Sequence, residues 1–253
     1  MSTKYISFSS QKGGVGKSAF TILISGILYY ERGYNVAIID CDYPQFSIKK
    51  QREREKKQIM SVAAFNAMAK AQFERIKKKP YPVFTCEHPD IPGFAREVIA
   101  RSPVTYDYIF FDFPGTVNSG HTVKAIKGMD YLFIPMEAER KVMESTLEFA
   151  CTLSEVFVKA GKGENIRLFW NRVDRREKNS LYLKYEEEVI KPLNLRVMTH
   201  SFPQSTRFRK EIEEDARSIF ISTFFAAMKA STKGTAINPD GFAGEVLTII
   251  NSG

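Results

Sequence analysis

Apolar residues occur in this chain in two patterns, short continuous runs and longer stretches in which they recur every three or four positions. The short runs predict buried strands, and the longer stretches predict helices with one apolar face. Strands are predicted at 5–9, 35–40, 82–86, 106–112, 131–135, 166–171 and 195–199. A first helix is predicted at 19–30, and the clearest helical pattern places Val142, Leu147, Leu153 and Phe157 on one face. This alternation predicts an α/β fold, with a doubly wound, mostly parallel sheet flanked by helices.

A charge-dense segment at about 47–80 interrupts this alternation. Six lysines and arginines fall within 49–57, and a helix predicted from about 61 ends near three lysines at 77–79. Cations in that place suit the negative end of a helix. Such a run is typical of a solvated helix face and also of an anion-binding surface, and the sequence leaves both interpretations open.

The chain otherwise shows no internal repeat and no low-complexity linker. Residues 1–253 are therefore predicted to form a single domain that contains the basic helical segment. Its last part, 222–250, is predicted to form two helices separated by a loop at 234–240.

The net charge of +8 favours a polyanionic partner, either nucleic acid or an anionic membrane surface. No segment approaches the run of about 18 apolar residues that a spanning helix needs. The first strand begins without a leader, which indicates a cytoplasmic protein. Three widely spaced cysteines, Cys41, Cys86 and Cys151, suit a reducing compartment and are predicted to be small buried side chains.

The first predicted strand leads directly into Gln11-Lys12-Gly13-Gly14-Val15-Gly16-Lys17-Ser18. The last three residues of this octet, Gly16-Lys17-Ser18, are typical of a phosphate-binding loop. In such a loop, backbone N–H groups cradle phosphate, the lysine reaches the β- and γ-oxygens, and the serine ligates Mg²⁺. The beginning differs, since Gln11 stands where the ordinary spacing has glycine and Lys12 follows it. Because Lys17 already serves the loop's own nucleotide, Lys12 is better placed to contact phosphate carried by a facing subunit. The octet therefore predicts nucleotide binding and a nucleotide-operated dimer.

Two predicted strands deliver acids to the edge of the sheet where the loop lies. The strand at 35–40 ends in Asp40, with Asp42 two residues later, and the strand at 106–112 ends in Asp112. A Pro114-Gly115 turn follows Asp112 and permits a mobile loop near the γ-phosphate. Phosphate hydrolysis needs a held Mg²⁺ ion and a placed water, and these acids are candidates for both tasks.

Together these motifs resemble the deviant Walker A ATPases of the ParA/MinD type, which have the P-loop NTPase fold. They are most similar to the ParA branch, which segregates plasmids and chromosomes and also serves conjugative elements. The resemblance rests on the octet 11–18, on Asp40-Cys41-Asp42 with the nearby Pro44-Gln45, and on Asp112-Phe113-Pro114-Gly115.

The resemblance implies ATP and Mg²⁺ as cofactors and a role for each matching residue. Catalytic roles fall to Lys12, which crosses an ATP-bound dimer, to Lys17 at the phosphates, and to Asp42, which positions the attacking water. The other implied contacts are Gly13, Gly14, Val15, Gly16 and Ala19 in the loop, Ser18, Asp40 and Asp112 near the metal, and Asn171 and Pro203 around adenine.

The same resemblance implies a slow ATPase switch. ATP closes a homodimer, the dimer binds DNA without sequence preference, and a ParB-like or transfer-machinery protein stimulates hydrolysis, in partition or conjugative transfer of a genetic element. Candidate DNA contacts are the runs 49–57 and 77–79 together with Arg207, Arg209 and Lys210.

The chain departs from the family pattern at two positions. Ala19 replaces a second hydroxyl residue after the P-loop serine, which removes one side-chain contact to the α-phosphate. Tyr43 separates the acid pair from Pro44-Gln45, which in the family follow the acids at once. An extra residue here bears on the geometry that positions water, where a displacement of about 1 Å can cost roughly a hundredfold in rate.

Two other classes within this superfamily are weighed against the ParA branch. A MinD-like, membrane-associated positioning ATPase uses a cationic amphipathic helix at its C-terminus, but 241–253 contains no lysine or arginine. Core packing is therefore predicted for Phe242, Val246, Ile249 and Ile250, and membrane binding is not expected. Reductases hold an iron–sulfur cluster between subunits, and Cys86 and Cys151 lack a matching spacing.

The three histidines are isolated; among them, His121 follows the Asp112 loop and is a candidate sensor of the γ-phosphate.

Overall fold

The architecture comes from a computed structural model that describes residues 2–115, 120–174, 179–209, 219–227 and 237–252. Its strands are β1 (Lys4–Phe8), β2 (Val36–Asp40), β3 (Val83–Thr85), β4 (Tyr108–Asp112), β5 (Tyr131–Met136) and β6 (Ile166–Trp170). Its helices are α1 (Lys17–Gly26), α2 (Ser47–Ser61), α3 (Ala63–Ile76), α4 (Ile91–Ala100), α5 (Gly120–Lys127), α6 (Arg140–Lys159), α7 (Asn179–Tyr185) and α8 (Pro239–Ser252). Wider π-helical turns continue α1 over Ile27–Glu31 and α7 over Glu186–Ile190.

The six strands form one all-parallel sheet in the order β3-β2-β4-β1-β5-β6. The central strand is β1, where Ile6 is paired with Phe110 of β4 on one side and with Tyr131 of β5 on the other. The helical connection after β1 runs to β2 in one half of the sheet, and the connection after its neighbour β4 runs to β5 in the other half, which opens a crevice at the carboxyl ends of β1 and β4. The predicted α/β fold with a parallel sheet flanked by helices is confirmed.

Each face of the sheet is covered by an apolar cluster of helices. On one face, Phe8, Phe20, Phe169, Phe202 and Phe242 pack as neighbouring rings, and α1 and α8 contribute to this cluster. Helices α4 to α7 pack on the other face, over β-strand residues such as Ile39, Phe111 and Leu168. Stacked and edge-to-face rings add to the free energy of apolar burial, so the aromatic cluster holds α1 firmly behind the octet.

The C-terminal helix α8 has its apolar face in this core. Phe242, Val246 and Ile250 are buried, and Ile249 packs partly against the same cluster. The prediction that these side chains serve core packing is confirmed. No helix in the described part of the chain is long and apolar enough to cross a membrane.

Two sequence-based predictions of local structure are wrong. The segment 195–199 is not a strand, because it touches the sheet in a single bridge between Leu168 and Val197. Beyond that bridge, the Glu245 carboxylate accepts the N–H groups of Thr199 and His200, at 2.7 and 2.9 Å, so they are withdrawn from the sheet. Residues 222–227 are irregular rather than helical, and the rest of that predicted helix, 228–233, lies outside the described residues.

The basic segment forms two packed helices, α2 and α3, rather than one helix after a charged run. One charged residue of the run, Glu55, is fully buried. Its carboxylate accepts hydrogen bonds from the N–H of Thr223 at 2.8 Å, from the Thr223 hydroxyl at 2.5 Å and from Gln51 Nε2 at 2.9 Å. Arg52 donates to the Thr223 carbonyl at 2.9 Å. These bonds occupy polar groups that a helix at 222–227 would need, which explains its irregular course.

Replacing Glu55 with alanine is expected to lower the free energy of unfolding by about 3 kcal/mol, because several buried donors then lose their acceptor. The matched control is Glu53→Ala, which removes an exposed carboxylate from the same helix and is expected to change stability by less than about 0.5 kcal/mol. Urea titration followed by circular dichroism measures both. Equal destabilisation by the two substitutions would show that the buried bonds contribute nothing specific.

Candidate nucleotide-binding site

The octet forms the tight loop between β1 and α1, at the carboxyl edge of the central strand. Gly14 has φ +76° and Gly16 has φ +94°, backbone conformations that side chains with a Cβ rarely adopt. A Cβ on Gly16 would also come within 3.2 Å of the Phe20 ring. The loop ends at the N-terminus of α1, where free N–H groups and the helix dipole favour an anion. The backbone at 13–17 therefore has the form of a phosphate cradle.

Lys17 is buried inside this loop, with its Nζ donating to the Lys12 carbonyl at 3.0 Å. Burial lowers the pKa of the Lys17 ammonium, and the nearby Asp112 and Asp42 carboxylates oppose that shift. A largely desolvated ammonium beside an anion cradle interacts strongly with phosphate, since little water screens it.

Ser18 and Asp112 meet at the base of the loop. The Ser18 hydroxyl donates to Asp112 Oδ2 at 2.6 Å, and the Ser47 hydroxyl, from the first residue of α2, donates to Ser18 Oγ at 3.3 Å. Asp112 is fully buried, and its Oδ1 has no hydrogen-bond partner among the described residues. Burial raises the pKa of Asp112 to about 7, partly opposed by the Ser18 hydrogen bond.

These groups fit a magnesium ion. Mg²⁺ prefers hydroxyl, carboxylate and water oxygens and keeps several of its waters. The hydroxyl of Ser18 is such a ligand, and the unpaired Oδ1 of Asp112 is an acceptor that a metal-bound water would satisfy. A buried carboxylate with one oxygen unpaired is costly unless a cation or donor compensates it.

Asp40 lies near the same edge but has both carboxylate oxygens engaged by the backbone. Oδ1 accepts the N–H of Asp42 at 3.3 Å, and Oδ2 accepts the N–H of Lys49 at 3.0 Å. Burial raises the pKa of Asp40, and these N–H bonds lower it. Asp40 therefore anchors the first turn of α2, and a direct metal contact for it stays a prediction.

Asp42 is partly buried just beyond β2. Burial raises the pKa of Asp42, while Lys17 and Lys50 lower it. The inserted Tyr43 is 60% exposed, and its ring centroid lies 5.7 Å from that of Phe46. The extra residue thus projects outward, and Asp42 stays within electrostatic reach of Lys17.

Beside the loop lies a cavity of about 360 Å³. It brings together residues that are distant in sequence: Gly14, Gly16, Ala19, Asn171, Arg172, Pro203, Gln204, Ser205, Thr206 and Phe208. Asn171 Nδ2 donates to the Val15 carbonyl at 3.0 Å, which fixes the amide at the cavity wall. The two residues predicted to surround adenine, Asn171 and Pro203, therefore share one cavity with the phosphate loop.

The structure shows three further contacts of the loop, of which the sequence signalled only one. Arg172 donates to the Gly14 carbonyl and pairs with Glu137 at 2.9 Å. A Cβ on Gly115 would lie 3.2 Å from Gly13 and from Lys17 Nζ, so the loop after β4 touches the cradle. The third contact is made by Ser47, whose hydroxyl donates to Ser18 Oγ. The Pro114-Gly115 turn was a signal for the second contact, whereas no local pattern marks Arg172 or Ser47.

Other candidate residues lie apart from these contacts or outside the described part. The Lys12 side chain is half-buried, and its main chain contacts Lys17 and the Ser10 hydroxyl. His88 accepts the Asp90 N–H, and His200 pairs with Glu245 at 2.7 Å, so both have local structural partners. The side chains of His121, Arg209 and Lys210 lie outside the described residues.

Residues 6–219 match the model of one protein family, described as the CobQ/CobB/MinD/ParA nucleotide binding domain. No curated protein matches the chain.

Several solved structures share the fold at low sequence identity. A putative plasmid partition protein from Borrelia burgdorferi, bound to AMPPNP, is 20% identical with a TM-score of 0.57, over 100% of this chain and 99% of that one. The MinD cell division protein of Aquifex aeolicus is 19% identical with a TM-score of 0.53, over 83% of this chain and 84% of that one. Cobyrinic acid a,c-diamide synthase from Mycobacterium smegmatis, with an ATP analogue and magnesium, is 16% identical with a TM-score of 0.58, over 99% of this chain and 96% of that one.

These likenesses show the fold, while the family match covers most of the chain and includes the octet, both acid-bearing strands and the cavity wall. The resemblance to ParA/MinD-type P-loop proteins seen in the sequence is thereby confirmed. The chain belongs to the CobQ/CobB/MinD/ParA family of nucleotide-binding domains.

Proposed function

We propose that this protein is a ParA-like ATPase switch that closes as a homodimer on Mg²⁺-ATP, binds DNA without sequence preference and hydrolyses ATP slowly. The observation that carries the proposal is the pairing of a complete phosphate cradle, with buried Lys17 and the Ser18–Asp112 hydrogen bond, with a second lysine at its entrance. Lys17 already lies within the loop, so Lys12 is the lysine available to a second subunit.

In this proposal each described residue has one task. Lys17 and the loop backbone bind the β- and γ-phosphates, and Ser18 ligates Mg²⁺, with Asp112 accepting from a metal-bound water. The ion supplies charge neutralisation of the phosphates. Asp42, close to Lys17, orients the attacking water, and Asn171 with Pro203 lines the adenine site. Asp40 acts through α2, whose first turn it holds.

The DNA part of the proposal rests on charge. The net charge is +8, and α2 exposes lysines and arginines while its apolar residues and Glu55 face inward. The exposed side includes Lys50, Lys56 and Lys57. Phosphate contacts of this kind carry no sequence information and weaken steeply with salt. A stimulating protein of the ParB or transfer-machinery type and a cytoplasmic location complete the proposal.

The Lys12→Ala variant tests the proposal directly. With Mg²⁺-ATP, the wild type is expected to elute as a dimer and to retain duplex DNA at low salt. Its affinity is expected to fall at least tenfold between 50 and 200 mM salt, which corresponds to about 2 to 3 DNA phosphates neutralised by the protein. Lys12→Ala is expected to bind ATP, remain monomeric and lose ATP-dependent DNA binding. Size-exclusion chromatography with light scattering, ATP turnover and DNA retention measure these effects.

The control is Gln11→Ala, which alters the exposed neighbour of Lys12 without removing charge and is expected to behave as wild type. Normal dimerisation and turnover by Lys12→Ala would refute the trans-acting lysine. Dimerisation of the wild type without any DNA retention would refute the DNA part alone.

A further inference from the structure

Two cysteines lie side by side at the carboxyl edge of the sheet, next to the nucleotide site. Cys41 directly follows β2 and Cys86 directly follows β3, and these parallel strands are paired up to Asp40 opposite Thr85. The pairing continues one step further, because the Cys86 N–H donates to the Asp40 carbonyl at 3.0 Å. Both side chains belong to the same apolar cluster on one face of the sheet, and each thiol donates to a nearby main-chain carbonyl, that of Ile39 for Cys41 and that of His88 for Cys86.

This placement meets the distance requirement of a disulfide. Neighbouring strands lie about 4.8 Å apart, and disulfides join Cα atoms separated by about 4.4 to 6.8 Å. Both residues also lie just past the ends of their strands, so their side chains can turn toward each other without breaking the ladder at 38–40. Cys151 lies far along the chain in α6, where its partly buried side chain packs against the same apolar cluster.

We propose that Cys41 and Cys86 form an oxidation site that closes reversibly to an intramolecular disulfide under peroxide. One thiol sulfur attacks hydrogen peroxide, the O–O bond breaks, and a sulfenic acid and one water form. The second sulfur then attacks the sulfenic sulfur, the S–S bond forms, and a second water leaves. The two thiols lose two electrons and two hydrogens in total, and peroxide takes up both. Both side chains are nearly buried, at 7% and 3% exposed, so only an oxidant close to water in size reaches them.

Closing the bond constrains the segment that carries the acids. Cys41 lies between Asp40 and Asp42, and its N–H is held by the Asp112 carbonyl at 2.9 Å. A disulfide to Cys86 therefore joins segment 40–42, which contains Asp42, to the residue after β3, in addition to its hydrogen bond to β4. A disulfide there slows any movement of Asp42 toward the γ-phosphate. This consequence rests on the proposed ATPase function, whereas formation of the disulfide does not.

Mass spectrometry tests the site without assuming any activity. The full chain is treated with hydrogen peroxide at neutral pH, unreacted thiols are blocked, and the protein is digested with trypsin without reductant. Cleavage after lysine and arginine, but not before Pro80, yields peptide 33–49 with Cys41 and peptide 79–96 with Cys86. A linked 33–49/79–96 pair that disappears on adding dithiothreitol is expected, in wild type and in the control Cys151→Ser. It is absent in Cys41→Ser and Cys86→Ser.

ATP turnover on the same samples tests the consequence. Oxidised wild type and oxidised Cys151→Ser are expected to lose at least fivefold in turnover and to regain it with dithiothreitol, while Cys41→Ser is insensitive to peroxide. Failure to form the linked pair in the folded wild type, or a pair that involves Cys151, would overturn the oxidation site. A linked pair with unchanged turnover would overturn the proposed effect of the disulfide on Asp42. Absence of turnover in the reduced wild type would instead refute the proposed ATPase function and leave the disulfide result standing.

Discussion

Lys17→Met is expected to weaken ATP binding by at least a hundredfold, corresponding to about 3 kcal/mol, because it removes the buried ammonium from the phosphate cradle and keeps the length of the side chain. The effect is large because Lys17 is desolvated before the nucleotide arrives. Little of its attraction for phosphate is therefore lost to water. Isothermal titration calorimetry with a non-hydrolysable ATP analogue measures the change.

The same substitution is not expected to destabilise the protein without nucleotide. Burial lowers the pKa of Lys17, which shows that the fold penalises its charge, so a neutral side chain of similar shape removes that penalty. Lys12→Met is the matched control, since it removes the other lysine of the octet and is expected to change monomer affinity for the analogue by less than about threefold. Loss of affinity below tenfold in Lys17→Met would contradict its role in the cradle.

Asp112→Asn is expected to raise the stability of the metal-free protein at pH 8 by on the order of 3 kcal/mol, or about 5–10 °C in Tm. The carboxylate is fully buried, its Oδ1 has no hydrogen-bond partner in the described part of the chain, and burial raises the pKa of Asp112 to about 7 from its usual value near 3.8. Below about pH 3.8, the carboxyl group of residue 112 is protonated in both the folded and the unfolded chain. As the pH rises toward 7 the unfolded chain ionises first, so stability is lost, and above 7 the loss is complete. The asparagine oxygen can still accept from Ser18.

Thermal unfolding in EDTA at pH 5, 6, 7 and 8 measures this prediction. The advantage of Asp112→Asn over wild type is expected to be small at pH 5 and to grow until about pH 7. Glu148→Gln removes an exposed carboxylate from α6 and is the control, with no pH-dependent change expected. With Mg²⁺-ATP the order is expected to reverse, because only wild type gains the full stabilisation of ligand binding. A variant less stable than wild type at pH 8 in EDTA would show that the Asp112 charge is compensated without metal.

Most of the sheet could be predicted from the sequence because β1, β2, β4, β5 and β6 are mostly buried, unlike the partly buried edge strand β3, and buried strands are continuous apolar runs. The wrong prediction at 195–199 has the same cause. An apolar run reports burial, whereas pairing depends on where the N–H groups bond, and Glu245 takes those of Thr199 and His200. The charge run at 49–57 was equally ambiguous, since the sequence cannot show that Glu55 faces Thr223 while Lys56 faces water.

For Asp40 and Asp112, too, the sequence predicted the position and only the structure showed the hydrogen-bond partners. Their positions at strand ends were evident from the sequence, and Asp40 and Asp112 occupy paired positions on neighbouring strands. Only their surroundings distinguish them, because the oxygens of Asp40 accept N–H groups of Asp42 and Lys49, while one oxygen of Asp112 has no hydrogen-bond partner within the ranges that the structure describes.

The sequence by itself determined the phosphate loop, since its glycines, its two lysines and Ser18 are contiguous and their conformations are local. The tertiary structure decided which distant groups meet that loop. Ser47 and Ser18 are 29 positions apart, and Arg172 and Gly14 are 158 positions apart. Cys41 and Cys86 become neighbours through the pairing of β2 with β3. Contacts of this kind follow from strand order and register, which are properties of the whole packed sheet and not of any single segment.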